Sequence, residues 1–225
     1  MSFFADEVVD AEYGNYFELT TAGYAVLVIA MLVIFVIGCL VFNRSKTSKS
    51  TTKQLAFSAM AIALALVTSM IKLFHLPMGG SITLCSMFFM SLVGYWYGLG
   101  AGITAAVAYG FLQLIIDPYI ISLPQMLVDY IFAFGALGLS GLFTNKKHGL
   151  ILGYIVAVLG RYVFAFLSGM IFFGSYAADF NMIAPVYSLL YNGLYLGAEA
   201  VITIIIIAIP PVNKALARIK KLAAE

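Results

Sequence analysis

The chain alternates long apolar runs with short polar breaks, and the runs set its architecture. Stretches at 21–43, 54–74, 83–98, 100–117, 123–143, 149–174 and 186–209 each read as a membrane-crossing helix, since about 20 apolar residues span a ~30 Å hydrocarbon core. The expected fold is an all-α membrane protein. It is a six-helix transmembrane bundle over 54–209, preceded by one extra N-terminal transmembrane helix at 21–43. The second and third core spans meet at Tyr97-Gly98-Leu99-Gly100 with almost no loop, so they are expected to be short or strongly tilted. Residues 1–20 form an acidic N-terminus, 44–53 (RSKTSKSTTK) a basic linker, and 210–225 a basic tail expected as a short surface helix.

Composition sharpens this picture. The chain is 63% hydrophobic and 10% charged, with mean hydropathy +1.04, whereas a soluble domain carries roughly a quarter charged residues. Ten of its twelve Lys and Arg fall on alternate loops: Arg44, Lys46, Lys49, Lys53; Lys146, Lys147; and Lys214, Arg218, Lys220, Lys221. Those loops are therefore expected in the cytoplasm, with the N-terminus outside and the C-terminus inside. The net charge of +2 follows from topology and implies no nucleic-acid partner. Acidic residues (Asp6, Glu7, Asp10, Glu12, Glu18) precede the first run, which is too long for a signal peptide, so it reads as an uncleaved anchor. Cys39 and Cys85 lie inside spans, with no disulfide or metal spacing.

Enzyme chemistry finds little support. No GxxxxGK[ST] phosphate loop and no HExxH is present. Gly138-Leu139-Ser140-Gly141 resembles the serine motif of the rhomboid proteases, but no histidine follows His148 to act as base on a later helix. Ser140 is expected to be a packing residue. Small residues at helix-packing spacing recur at Ala59/Ala63, Gly94/Gly98, Gly98/Gly102 and Gly193/Gly197.

Three ionisable residues fall inside the spans: Asp129, Arg161 and Glu199. Each needs a partner or a wet cavity, because a charge at the bilayer centre costs at least ~2.5–3.5 kcal/mol. Arg161 and Glu199 come out at the same depth near mid-membrane, which makes a buried ion pair between them the first expectation. Asp129 lies six residues below the outer end of its span, roughly 9 Å at ~1.5 Å per residue. Two readings stay open for it: a protonated, hydrogen-bonded carboxyl, or a carboxylate facing an outward pocket for a cation. Its surroundings favour the pocket. Gln125 is one turn away, Tyr130 adjoins it, and Arg161, Ala165, Gly169 and Phe173 form a four-residue stripe on the next helix. On the last span Tyr187 and Asn192 lie in the outer half, with Glu199 on the face of Asn192.

The segments GGSITL (79–84), DPYIISLPQ (117–125), Asp129-Tyr130, GALGLSGLF (135–143) and YSLLYNG (187–193), in this order, resemble one family. It is the thiamine-specific substrate-binding component of the energy-coupling factor vitamin importers, the ThiT type. The resemblance covers 54–209. It implies a bacterial plasma-membrane protein that binds thiamine near the outer face, beneath a lid here formed by Lys72–Ser81. The implied partners are a membrane-embedded coupling subunit and two ATPases, with no enzymatic activity and no cofactor in this chain. Carried over by position, the ligand contacts would be Tyr119, Asp129, Tyr130, Arg161, Gly169, Phe173, Tyr187 and Asn192, with Glu199 deeper in the same site. Ala59 and Ala63 match the family's face for the coupling subunit. The chain departs from the family with Asp129 for Glu, and with Ala165, Phe173 and Gly80 where some members carry His or Trp. Thiamine suits the residues: its thiazolium charge complements Asp129, and its flat rings suit aromatic walls. The alternative is a stand-alone secondary transporter or channel for another small organic cation, which would show internal symmetry or a polar path to the inner face.

Overall fold

The computed structural model describes residues 5–10, 14–20, isolated positions between 22 and 33, and 51–224. The anchor expected at 21–43 and most of the 44–53 linker lie outside the described residues. Near the N-terminus, strands β1 (Ala5–Asp10) and β2 (Gly14–Leu19) pair antiparallel, a hairpin that the sequence reading did not anticipate.

The bundle begins with α1 (Thr52–Met70), whose first turn is capped by Thr51 Oγ1 accepting from Gln54 N at 3.1 Å. It ends four residues before the expected boundary, because Lys72–His75 leaves the helix as strand β3. That strand pairs with β4 (Ser81–Thr83) across a 3-10 turn at Pro77–Gly79. The expected lid is thus a hairpin. Helix α2 (Ser86–Tyr97) has only 12 residues, about 18 Å of rise, too short to cross the hydrocarbon core alone. Gly98 turns directly into α3 (Leu99–Ile116) at φ +88°, a conformation that glycine adopts without strain. A Cβ on Gly98 would meet nothing within 4 Å, so its part is the turn and not helix packing.

The fourth span, α4 (Leu123–Phe143), has the expected bounds but an irregular interior. Leu127–Phe132 is π-helical and Ala136–Phe143 is a 3-10 helix. The tight end lets Gly138 meet Gly102 of α3 and Gly94 of α2, where added Cβ atoms would fall on neighbouring backbone. Ser140 is fully buried there and donates to Ser91 O at 2.7 Å, a packing role as expected. Helices α5 (Gly149–Phe172) and α6 (Ala184–Ala208) complete the bundle. Among the described residues, five helices (α1 and α3 to α6) are long and apolar enough to cross a membrane. Their outer faces carry Leu55, Leu64, Phe111, Leu159, Leu194 and Ile205, all exposed, as lipid-facing surfaces require.

The basic tail forms helix α7 (Pro210–Ala224), packed on α1 and α2 at the end of the bundle that holds Thr144. Lys220 Nζ donates to Thr144 O and lies 3.8 Å above the Tyr95 ring, and burial lowers its pKa from the ordinary lysine value.

Candidate functional site

All nine substrate-binding residues predicted from the sequence line one cavity of about 170 Å³ at the end of the bundle that carries the β3–β4 hairpin: Tyr119, Asp129, Tyr130, Arg161, Gly169, Phe173, Tyr187, Asn192 and Glu199. The β3–β4 hairpin, the segment expected as a lid, contributes Lys72, Gly79, Gly80, Ser81 and Thr83.

Asp129 sits in the π-helical turn of α4, a local widening that often marks functional positions. Gln125 orients it, with Nε2 donating to Asp129 Oδ2 at 2.6 Å and to Tyr119 O at 3.1 Å. Gln125 Oε1 accepts from Ile121 N at 3.1 Å, so this buried amide is fully used. Ser168 Oγ is buried beside Asp129 as a hydrogen-bonding neighbour of its carboxylate.

Arg161 and Glu199 do not pair, contrary to expectation. Among the described residues the one ion pair is Lys72–Asp117, at 2.7 Å beside the lid. Arg161 instead places its guanidinium 4.1 Å from the centre of the Phe134 ring. Glu199 turns to the start of α2. Its Oε2 accepts from Thr83 N at 3.2 Å and Thr83 Oγ1 at 2.6 Å, and its Oε1 from Met87 N at 3.0 Å and Ser86 Oγ at 3.3 Å. Equal depth says nothing about the direction in which a side chain leaves its helix.

Several predicted residues build the wall through neighbours. Tyr130 Oη accepts from Tyr119 N at 2.7 Å and donates to Asp117 O at 2.9 Å, stapling the 117–119 loop. Burial pushes the Tyr119 hydroxyl above the ordinary tyrosine value. Asn192 Nδ2 donates to Ala165 O at 3.2 Å and Ser188 O at 2.9 Å, and its Oδ1 accepts from Tyr195 Oη at 3.1 Å. Gly169 lets α5 approach α6: a Cβ there would lie 2.9 Å from Asn192 Nδ2 and against Ser188 Oγ.

Two aromatic groups flank the opening. Tyr119, Phe173 and Tyr176 follow one another at centroid distances of 5.9 and 6.2 Å. Phe180, Tyr187, Tyr191 and Tyr195 form a second series at 5.4, 5.6 and 5.8 Å. Sequence reasoning missed Tyr191, Tyr195, Gln113, Phe134 and Ser168. The four-residue spacing of Tyr187, Tyr191, Tyr195 and Glu199 was the available signal for the first two.

Against this geometry, a family profile described as "Thiamine transporter protein (Thia_YuaJ)" matches residues 55–218. The chain belongs to the thiamine transporter family. It is 32% identical over 181 residues to the thiamine transporter ThiT of Bacillus subtilis (strain 168), covering 74% of this chain and 92% of that protein. The structure of ThiT from Listeria monocytogenes, phased by native SAD, is similar with a TM-score of 0.58 and 25% identity. That match covers 70% of this chain and 94% of the Listeria chain. Thiamine transporter family membership fits a multi-pass helical membrane protein with no enzymatic function. Residues 1–54 lie outside the matched profile.

Proposed function

We propose that this chain binds thiamine in the cavity from the outer side and serves as the substrate-binding subunit of an ATP-driven energy-coupling factor importer. The observation that carries the reading is charge. Three lining carboxylates (Asp117, Asp129, Glu199) face two lining cations (Lys72, Arg161), leaving one surplus negative charge. Lys72 holds Asp117, and Glu199 is saturated by four donors. Asp129 is then the acidic group available to a monocation. Thiamine carries one fixed positive charge on its thiazolium ring, and the Tyr119–Phe173 and Tyr187–Tyr191 rings offer faces for its flat rings.

Coupling to a membrane partner is supported by α1. Ala61 and Ala65 are buried, while Ala59 and Ala63 are exposed beside Met60 and Leu64. The small outward residues suit close approach of another helix in lipid. The N-terminus lies outside and the C-terminus, with the basic helix α7, in the cytoplasm of a bacterial cell.

Titration calorimetry of the purified full chain with thiamine tests the reading, together with mass identification of any molecule that co-purifies. Saturable binding of one thiamine per chain is expected. No heat with thiamine, or an unrelated co-purified ligand, would overturn it.

A further inference from the structure

Tyr187, Tyr191, Tyr195 and Glu199 recur every fourth residue on α6 and share one face. Two of them hold opposite ends of the strand that returns from the lid to α2. Tyr191 Oη accepts from Gly80 N at 2.9 Å and donates to Pro77 O, closing the 3-10 turn at the lid tip. Glu199 takes the other end, with two donors on each carboxylate oxygen.

The Glu199 end solves a local problem. Met87 N is one of the opening amides of α2, which have no partner within the helix. The residue before α2, Cys85, is left-handed at φ 60° and supplies no side-chain cap. Glu199 brings that acceptor from another helix, and its charge suits a helix N-terminus. Its bonds to Thr83 and Met87 straddle Cys85 and so hold this uncommon backbone conformation. These bonds are buried, with Glu199 3% exposed, whereas the Tyr191–Pro77 bond is open to solvent. Water competes more readily for the Tyr191–Pro77 bond than for the four buried bonds of Glu199.

We infer that Glu199 is a positioning residue and not a ligand contact: it fixes the inner hinge of the lid at Thr83–Met87, while Tyr191 is the latch that releases over the cavity mouth. Gly80 belongs to the latch, because a Cβ there would stand 2.5 Å from Tyr191 Oη. The inference rests on the cavity taking thiamine.

The test combines release of radiolabelled thiamine, chased with unlabelled thiamine, and residue-resolved hydrogen exchange on the full chain. Tyr191→Phe removes two neutral hydrogen bonds, so thiamine should leave about tenfold faster. Amide protection should fall at Gly80 and persist at Thr83 and Met87. Gly80→Ala should reproduce this, and the two changes should not add. Glu199→Gln should instead lose protection at Thr83 and Met87. Should that variant not fold, Thr83→Val removes the 2.6 Å bond and should loosen the same amides. Unchanged release from Tyr191→Phe would refute the latch. Faster release from Glu199→Gln with Thr83 and Met87 still protected would make Glu199 a ligand contact and overturn the hinge. If the wild type bound no thiamine, the functional reading would fall, and the exchange measurements would still decide the anchoring.

Discussion

Two glycines in facing helices should respond to alanine in opposite directions. At Gly169 the new methyl would stand 2.9 Å from Asn192 Nδ2 and against Ser188 Oγ. Overpacking of this kind costs about 1–3 kcal/mol, while alanine in a helix interior gains roughly 0.5–1 kcal/mol over glycine. The clash outweighs that gain, for a net loss of roughly 0–2.5 kcal/mol. The strain falls on Asn192, whose 3.2 Å bond to Ala165 O ties α6 to α5 at the cavity wall. Thiamine affinity should therefore drop about tenfold, close to 1.4 kcal/mol. At Gly197 a Cβ would meet nothing within 4 Å, so only the helix gain of roughly 0.5–1 kcal/mol remains. Thermal unfolding in detergent and thiamine titration read both variants. Gly169→Ala should melt lower and bind more weakly, and Gly197→Ala should melt higher with binding unchanged. If Gly169→Ala bound as the wild type and melted higher, the close α5–α6 approach would not shape the cavity.

Ala59→Trp should abolish cellular uptake and leave affinity in detergent nearly intact, because the outward side of α1 lines no part of the cavity; an equal fall in affinity would make the alanines internal packing. A chain starting near Thr51 should bind as tightly as the full chain, since the matched profile and, among the described residues, the whole cavity lining lie beyond it; lost binding in a folded truncation would contradict this. Arg161→Met and Glu199→Gln should lose stability additively, as their side chains hold separate partners. Recovery in the double mutant would restore the discarded ion pair.

Hydrophobic runs made most of the helices legible, because lipid demands apolar length whatever the neighbours are. The bounds of α4 were read correctly: Ser122 and Pro124 mark its start, with Ser122 Oγ accepting from Gln125 N at 3.2 Å. The one-turn Gln125–Asp129 relation also holds, at 2.6 Å. The lid hairpin escaped because Leu73, Phe74 and Ile82 are as apolar as a helix end, and hydropathy cannot separate a strand from a span. The Arg161–Glu199 expectation failed because depth along an axis was known and azimuth was not. Nothing local predicts that Glu199 would cap α2, 113 residues away from Ser86 in sequence. Gly193 was read as half of a helix-packing pair with Gly197; a Cβ there comes no nearer than 3.7 Å, to Tyr162 Oη.

The central claim is that Asp129 balances the charge of thiamine. The most direct measurement titrates thiamine and a neutral analogue lacking the quaternary nitrogen against the wild type and Asp129→Asn. Charge-assisted contacts are worth roughly 1.5–3 kcal/mol, so thiamine should lose about ten- to a hundred-fold in affinity, and the neutral analogue far less. Equal losses for both ligands, or undiminished thiamine binding by the variant, would contradict the account.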